Sequence, residues 1–366
     1  MLSSGDRGVA GCHGNRTPTG RPSVAPTRTL DWINDAVEMI DQTLLPQQEV
    51  VLRVADVPTM VDAIKRLAVR GAPALGVAGA YAVVLAGRQH DPTGDPTGFR
   101  AAIEQVRTAR PTAVNLARMT DRVADLAGAG VGAMLAEAHR IRDEEIAAST
   151  TMGEVGADLV LELVGNRPVR AMTICNTGGL ATVERGTALA VVHTLFERDL
   201  LAEAIPVETR PLLQGGRLTT WELQRLGAPH RLIVDSAGPF LLSRGAADVV
   251  LIGADRVAAN GDTANKIGSF SLSLGARHAG VPFIVVAPES TVDLTTPDGN
   301  AIEIEDRGPV EVATFRDTPI APEGTPGINP AFDVTPVAHI HSLVTDRRVV
   351  RFAEGDTLTS TAHLVT

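Results

Sequence analysis

From residue 168 onward the chain alternates between short apolar runs and segments of helical character. The apolar runs are AMTIC (171–175), RLIVD (231–235), DVVLIGAD (248–255) and PFIVVAP (282–288). Unbroken apolar runs of this length predict strands buried on both faces. Between them lie Leu180–Glu197, Trp221–Leu226, Phe240–Arg244 and Phe270–Ala279, which predict helices. Strands alternating with helices imply right-handed βαβ units and a parallel sheet, so the fold class is α/β. No G-x-G-x-x-G follows the first strand, so no dinucleotide site is expected.

Before residue 168 the rhythm differs. Thr29–Val54 predicts short antiparallel strands with Trp32 and Ile40 on their buried face. Asp56-Val57-Pro58-Thr59 has the form of a helix start, leading into a helix over Met60–Val69. Leu75–Ala86 (LGVAGAYAVVLA) is almost wholly small and apolar, which predicts a buried helix. Residues 88–99 predict a solvent loop, and Arg110–Asn115 opens a helix that continues through Leu126, with Pro111 where its missing N–H costs nothing. Val131–Val164 predicts one or two helices with a charged outer face. The domain boundary is expected between Glu145 and Pro168. Thr291–Pro330 is irregular and predicts two short strands, Ala301–Glu305 and Val310–Thr314, within a lid or a subunit contact. Order returns at Asn329–Pro336.

Composition narrows the function. A length of 366 residues predicts two domains. Aromatics make up 3% of the chain, too few for an aromatic-rich barrel or sandwich. A net charge of −10, with no run of Lys or Arg, argues against a nucleic-acid partner. An anionic substrate would then need positive charge concentrated locally. Of the two cysteines, Cys12 lies in a low-complexity tail, so no disulfide framework is expected and a reducing, cytoplasmic setting fits. No apolar run reaches the length of a membrane span, and the first residues lack the apolar core of a secretory leader. The composition of residues 1–26 predicts a disordered tail.

The candidate chemistry centres on Val249–Ser269 (VVLIGADRVAANGDTANKIGS). Asp255 follows the predicted strand at its carboxyl end, which in open α/β sheets faces the ligand crevice. Beyond the turn Asn260-Gly261-Asp262 come Asn265 and Lys266. A strand, a polar turn and a helix cap would account for the same residues. Cys175 also ends a predicted strand, beside the helix start Asn176-Thr177-Gly178-Gly179, where anions are favoured; a buried packing cysteine is the alternative. Arg70-Gly71-Ala72 precedes the buried helix and forms a candidate anion site, unless Arg70 only caps a carbonyl. Arg110 is a candidate second arm. Glu208–Arg217 offers Arg210 and Gln214 for hydroxyls or phosphate, and Asp235 could orient a neighbour. His339 and His341 read as packing or surface residues, so no metal is expected. This inventory suits a sugar phosphate and proton shuttling without a cofactor.

Six stretches resemble the methylthioribose-1-phosphate isomerases, relatives of the regulatory subunits of the initiation-factor-2 exchange factor and of ribose-1,5-bisphosphate isomerases. They are VRGAPALGVAGAYA (69–82), ARPTAVNLA (109–117), TICNTGGLAT (173–182), ETRPLLQGGRLTTWEL (208–223), IGADRVAANGDTANKIGS (252–269) and NPAFDVTP (329–336). The resemblance implies a small N-terminal α+β domain (27–150) and a Rossmann-like parallel-sheet catalytic domain (151–350), followed by a tail (351–366). It implies an aldose–ketose isomerase of methionine salvage, acting on 5-methylthioribose 1-phosphate as a homodimer without a cofactor, with no nucleic-acid or membrane partner. Carried onto this chain, Cys175 and Asp255 are the catalytic pair. Arg70, Gly71, Ala72, Arg110, Gln214, Asn265 and Lys266 bind substrate. Val207 stands where the family usually has Asp before ETRP. Isomerisation of 5-deoxyribose 1-phosphate or ribose 1,5-bisphosphate, and a non-catalytic regulatory subunit, are the competing readings.

Overall fold

In the computed structural model, three strands, β1 (Leu30–Ile33), β2 (Ala36–Ile40) and β3 (Val51–Val54), form an antiparallel sheet in the order β1-β2-β3. The structure describes residues 28–110, 113–315, 318–359 and 363–364. The predicted tail over 1–26, Cys12 and the helix-start Pro111 lie outside the described residues. Trp32 is half-buried against the first core, whereas Ile40 points to the other face of the sheet and is buried with Leu45, Leu180 and Leu218, so the two do not share the expected face.

Helix α1 (Val57–Lys65) begins where Asp56 accepts a hydrogen bond from the Thr59 amide at 2.8 Å. It stops short of the predicted Val69 because Leu67 turns to a φ of +66°. Helix α2 (Ala72–Gln89) is buried almost throughout, with Gly76 and Gly79 facing residues of α4 (Val114–Ala124). The predicted loop over 88–99 is shorter than expected. Asp95 caps α3 (Pro96–Arg107) by accepting from the Gly98 amide at 2.9 Å. Val131–Val164 is one helix, α5, of 34 residues. Its first half joins the core around α2, and its second half joins the core of the parallel sheet.

The following elements are β4 (Val169–Thr173), α6 (Ala188–Glu197), β5 (Leu201–Pro206), α7 (Thr220–Leu226), α8 (Ala237–Ser243), β6 (Val249–Ile252), β7 (Arg256–Ala258), β8 (Thr263–Lys266), α9 (Ser269–Ala279) and β9 (Phe283–Val286). Then come β10 (Val292–Asp293), α10 (Val310–Ala313), β11 (Thr314–Phe315), β12 (Thr318–Pro319), β13 (Phe332–Thr335), β14 (Ser342–Val344), β15 (Arg348–Val350) and β16 (His363–Leu364). The main sheet runs β16-β15-β14-β9-β6-β4-β5. From β14 to β5 it is parallel, and the β15 and β16 edge is antiparallel. Val249 and Leu251 pack toward α5 and α6, while Val250 and Ile252 pack toward α8 and α9. Burial on both faces is why these strands read as unbroken apolar runs.

RLIVD is not a strand. The edge position belongs to β5, and residues 230 and 233 make only isolated bridges to Ala204 and Val207. The edge strand carries Glu203, ion-paired with Arg231, which hides it from a search for apolar runs. The predicted helix over 180–197 starts only at Ala188. Neither predicted strand in 291–330 forms. A 3₁₀ turn occupies 299–301 and a helical turn occupies 310–313. A smaller sheet, β10-β7-β8-β13, lies beside the main one, with Asn260-Gly261-Asp262 at the tip of the β7–β8 hairpin.

Gly71 joins the two halves closely. Its φ is +92°, and a Cβ there would overlap the Ala181 backbone. Gly71→Ala is expected to lower stability by more than about 2 kcal/mol, read as a fall in the thermal midpoint.

Candidate active site

Cys175 lies two residues beyond β4 and Asp255 three beyond β6, at the carboxyl edge of the parallel sheet. Cys175 is buried and sits at a φ of +67°. Two hydroxyl contacts hold that conformation. The Cys175 amide donates to Thr209 Oγ1 at 2.9 Å, and its carbonyl accepts from Thr219 Oγ1 at 2.7 Å. Thr209 itself has a φ of +67°, rare for a β-branched residue. It is held by Asp235, whose carboxylate accepts from the amides of Thr209 (2.8 Å) and Arg210 (2.7 Å). Left-handed non-glycine residues cost roughly 1–3 kcal/mol each and persist where their surroundings over-determine them, typically at functional sites.

Arg70 Nη2 donates to Cys175 Sγ at 3.6 Å, across the junction between the two halves of the chain. Its Nη1 is buried without a partner, as are Gln214 Oε1, Asn176 Oδ1 and Thr177 Oγ1. Buried polar atoms are usually paired, and these four are available to a polar ligand. Gly71 and Ala72 open α2, whose first turn has no side-chain cap.

The charges of the cleft act on one another. Asp255 is solvent-exposed, yet protein surrounds it closely enough that burial raises its pKa. Lys266, Arg70 and Arg110 pull in the opposite direction. Burial lowers the pKa of Lys266, opposed by Cys175 and Asp255 and reinforced by Arg70 and Arg307. The Lys266 ammonium lies 5.4 Å from the centre of the Phe332 ring. Burial likewise holds Arg110 below its ordinary value; Arg70 and Arg307 add to this, and Glu305 and Asp255 oppose it. Asn265 is buried beside Lys266 on β8, and its Nδ2 donates to Ser269 Oγ at 2.8 Å. The predicted Cys175, Asp255, Arg70, Arg110 and Lys266 thus share one charged basin.

Arg210 faces elsewhere. Its guanidinium donates to the carbonyls of Pro211, Glu311, Val312 and Thr314 and lies 5.7 Å from the Phe315 ring centre. It straps the 310–315 segment down. The two histidines have ordinary partners: His339 contacts Ser273 Oγ at 3.0 Å and stacks on Phe270, and His341 contacts Ser342 Oγ at 2.9 Å. Among the described residues no three His, Cys, Asp or Glu side chains gather as metal ligands do.

Three charged residues of the basin escaped the reading by pattern. Residues 305–307 pair with 329–331, through Arg307 N to Asn329 O (2.9 Å) and Ala331 N to Glu305 O (2.8 Å). Extended alternation places Glu305 and Arg307 on one face and Asp306 on the other. No periodicity marks that segment. Arg307 is partly neutralised by Glu311 at 2.5 Å. The third is Glu222, on α7, which reads as an exposed helix residue yet lies beneath the Cys175 turn.

A model of the initiation factor 2 subunit family matches residues 68–351. A methylthioribose-1-phosphate isomerase of Anaeromyxobacter sp. (strain Fw109-5) is 48% identical over 325 residues, covering 88% of this chain and 94% of that one. A probable bifunctional methylthioribose-1-phosphate isomerase/methylthioribulose-1-phosphate dehydratase of Nocardia farcinica is 47% identical over 88% of this chain, which spans only 59% of that longer protein. A 5-deoxyribose 1-phosphate isomerase of Moorella thermoacetica is 44% identical, covering 89% of this chain and 95% of that one. Among solved structures, 5-methylthioribose 1-phosphate isomerase from Pyrococcus horikoshii OT3 superposes with a TM-score of 0.83 at 38% identity, covering 89% of this chain and 92% of that one. The initiation factor eIF-2B, subunit delta, from A. fulgidus gives 0.81 at 37% identity, covering 89% and 96%.

Inorganic phosphate is expected to raise the thermal midpoint, since a ligand at 100 times its Kd adds about 2.7 kcal/mol to native stability. Arg110→Ala is expected to need at least about tenfold more phosphate for the same shift. An unchanged response in that variant would remove Arg110 from the anion site.

Proposed function

Because the chain belongs to the initiation factor 2 subunit family, we propose that its cleft isomerises 5-methylthioribose 1-phosphate to 5-methylthioribulose 1-phosphate, an aldose–ketose conversion of methionine salvage. One observation carries the reading: a thiol and a carboxyl group share a basin in which Arg70, Arg110 and Lys266 supply positive charge. The cations receive the phosphate. Gln214, Asn265 and the uncapped first turn of α2 at Gly71 and Ala72 receive the remaining oxygens.

The anomeric carbon carries phosphate, so the ring oxygen must be released before hydrogen can move. Asp255, its pKa raised by burial, gives its proton to the ring oxygen as the bond from that oxygen to C1 breaks. Cys175, as the thiolate, takes the proton from C2, leaving an enol between C1 and C2. The thiol returns that proton to C1 while the Asp255 carboxylate takes the proton of the C2 hydroxyl. The ketose forms, and both side chains regain their starting states.

A second reading is 5-deoxyribose 1-phosphate as substrate, favoured by the Moorella thermoacetica relative of that name. The two sugars differ only at the apolar 5-position, and such differences in an apolar pocket discriminate by roughly 10–200-fold. Ribose 1,5-bisphosphate would need further positive charge; Arg307 is nearby but is shared with Glu311. The cysteine–aspartate pair favours an enzyme over a regulatory subunit. Exposed Phe240, Phe270 and Leu274 on the packed helices α8 and α9 support a homodimer. No helix among the described residues is long and apolar enough to cross a membrane, in keeping with a cytoplasmic enzyme.

Cys175→Ser and Asp255→Asn are each expected to lower kcat on 5-methylthioribose 1-phosphate by at least about 100-fold, with circular dichroism unchanged. Near-normal turnover by either would overturn its role. Parallel kinetics on the three sugar phosphates are expected to rank ribose 1,5-bisphosphate last, and its coming first would change the assigned substrate. Light scattering is expected to give twice the chain mass, and Phe240→Asp to shift it toward the monomer.

A further inference from the structure

The turn that carries Cys175 rests on a half-buried acid that the proposed chemistry does not use. Glu222 Oε1 accepts from Asn176 Nδ2 at 2.6 Å, and Oε2 accepts from the Leu180 amide at 3.4 Å; the Gly179 amide bonds the same carboxylate. One helical turn earlier, Thr219 Oγ1 donates to the Cys175 carbonyl at 2.7 Å and accepts from Asn176 Nδ2 at 3.4 Å. Residues 219 and 222 thus grip 175–176 and 179–180 from one side. The fit leaves no spare room, because a Cβ on Gly178 would overlap the Glu222 carboxylate.

We propose that Glu222 is a positioning residue for the reaction, splinting the 175–180 turn from beneath so that the Cys175 thiol stands beside Arg70 at the cleft. Two features separate this from ordinary packing. Both carboxylate oxygens act as acceptors toward N–H donors, so the splint requires the ionised form. Burial nevertheless raises the Glu222 pKa to about 7, against the pull of its hydrogen bonds and of Arg70, the charged group that faces it from the turn before α2. Protonation would place an O–H against an N–H and loosen the turn. The Asn176 and Thr177 side-chain oxygens, buried and unpartnered on the same turn, would lose their placement with it.

The role rests on the isomerase reading, and two measurements keep the two separable. The first is the pH dependence of kcat for wild type and Glu222→Gln. Glutamine keeps the shape but sets an NH₂ group against one of the N–H donors. Wild-type kcat is expected to fall as pH drops through about 7. In the variant, kcat at pH 8 is expected to be at least about tenfold lower with KM within about threefold, and the decline near 7 is lost. A purely structural role would lower the thermal midpoint and leave that acid limb in place, which would overturn the proposal. The second measurement needs no turnover: the rate at which iodoacetamide alkylates Cys175 in a Cys12→Ser background. Glu222→Gln is expected to change it at least about fivefold, and an unchanged rate would overturn the proposal even if the substrate assignment stands. Should Glu222→Gln not fold, Glu222→Asp draws the carboxylate back from the turn, and the same loss of kcat at pH 8 and the same change in alkylation rate are expected. Wild type inactive on all three sugar phosphates, with the alkylation rate still changed by the variant, would overturn the substrate reading alone.

Discussion

Like charges repel, and a protein interior solvates them poorly; both costs are concentrated in one cleft of this molecule. Arg70, Arg110, Lys266 and Arg307 act on one another there, and Asp255, Cys175, Glu222, Glu305, Glu311 and Asp333 offset them. Burial presses Lys266 and Arg110 toward neutrality and Asp255 toward its protonated form. A phosphate bound as proposed would relieve the repulsion and give the orphaned Arg70 Nη1 a partner. These cations gather in one region although the whole chain carries a net charge of −10. Positive charge is thereby concentrated locally, as an anionic ligand requires of an acidic protein.

Rigid backbone makes that confinement possible. Cys175 and Thr209 hold left-handed conformations that neither would choose alone. Thr209, Thr219 and Asp235 over-determine both, through bonds of 2.7–2.9 Å. Strand β4 anchors the other end of the Cys175 loop, and β5 that of the Thr209 loop. Loops so constrained hold their side chains in fixed positions, the kind of geometry that proximity catalysis demands.

The closing wall is assembled differently. β13 returns antiparallel to β8, pairing Phe332 with Lys266 and Asp333 with Asn265. Asp333 caps α9 by accepting from the Gly268 (2.7 Å) and Phe270 (3.1 Å) amides, and burial raises its pKa to about 6. The stretch before β13 pairs with residues 305–307 and so carries Arg307 and Glu305 to the basin. Arg210, read as a substrate group, instead serves this wall by holding 310–315 in place. A guanidinium with five donors binds carbonyls as readily as phosphate, and only its surroundings decide which.

Local chemistry in the chain determined the α/β class, most of the central strands, the Asp56 helix cap, and the placing of Cys175 and Asp255 after apolar runs. Each is written in a few consecutive residues, because burial on both faces imposes an unbroken apolar run and a cap needs one side chain three residues from its amide. The edge strand β5 was not legible, since an edge is exposed and tolerates Glu203. The decoy RLIVD looked right because apolar composition does not specify hydrogen-bonding partners. Glu222, Glu305 and Arg307 were beyond reach for a different reason. Their surroundings are built by segments distant in the chain, and a charged residue on a helix or in an irregular stretch reads as solvated until the residues across from it are known. Tertiary structure alone decided which cations share a basin, because charge interaction depends on distance and burial rather than on order along the chain.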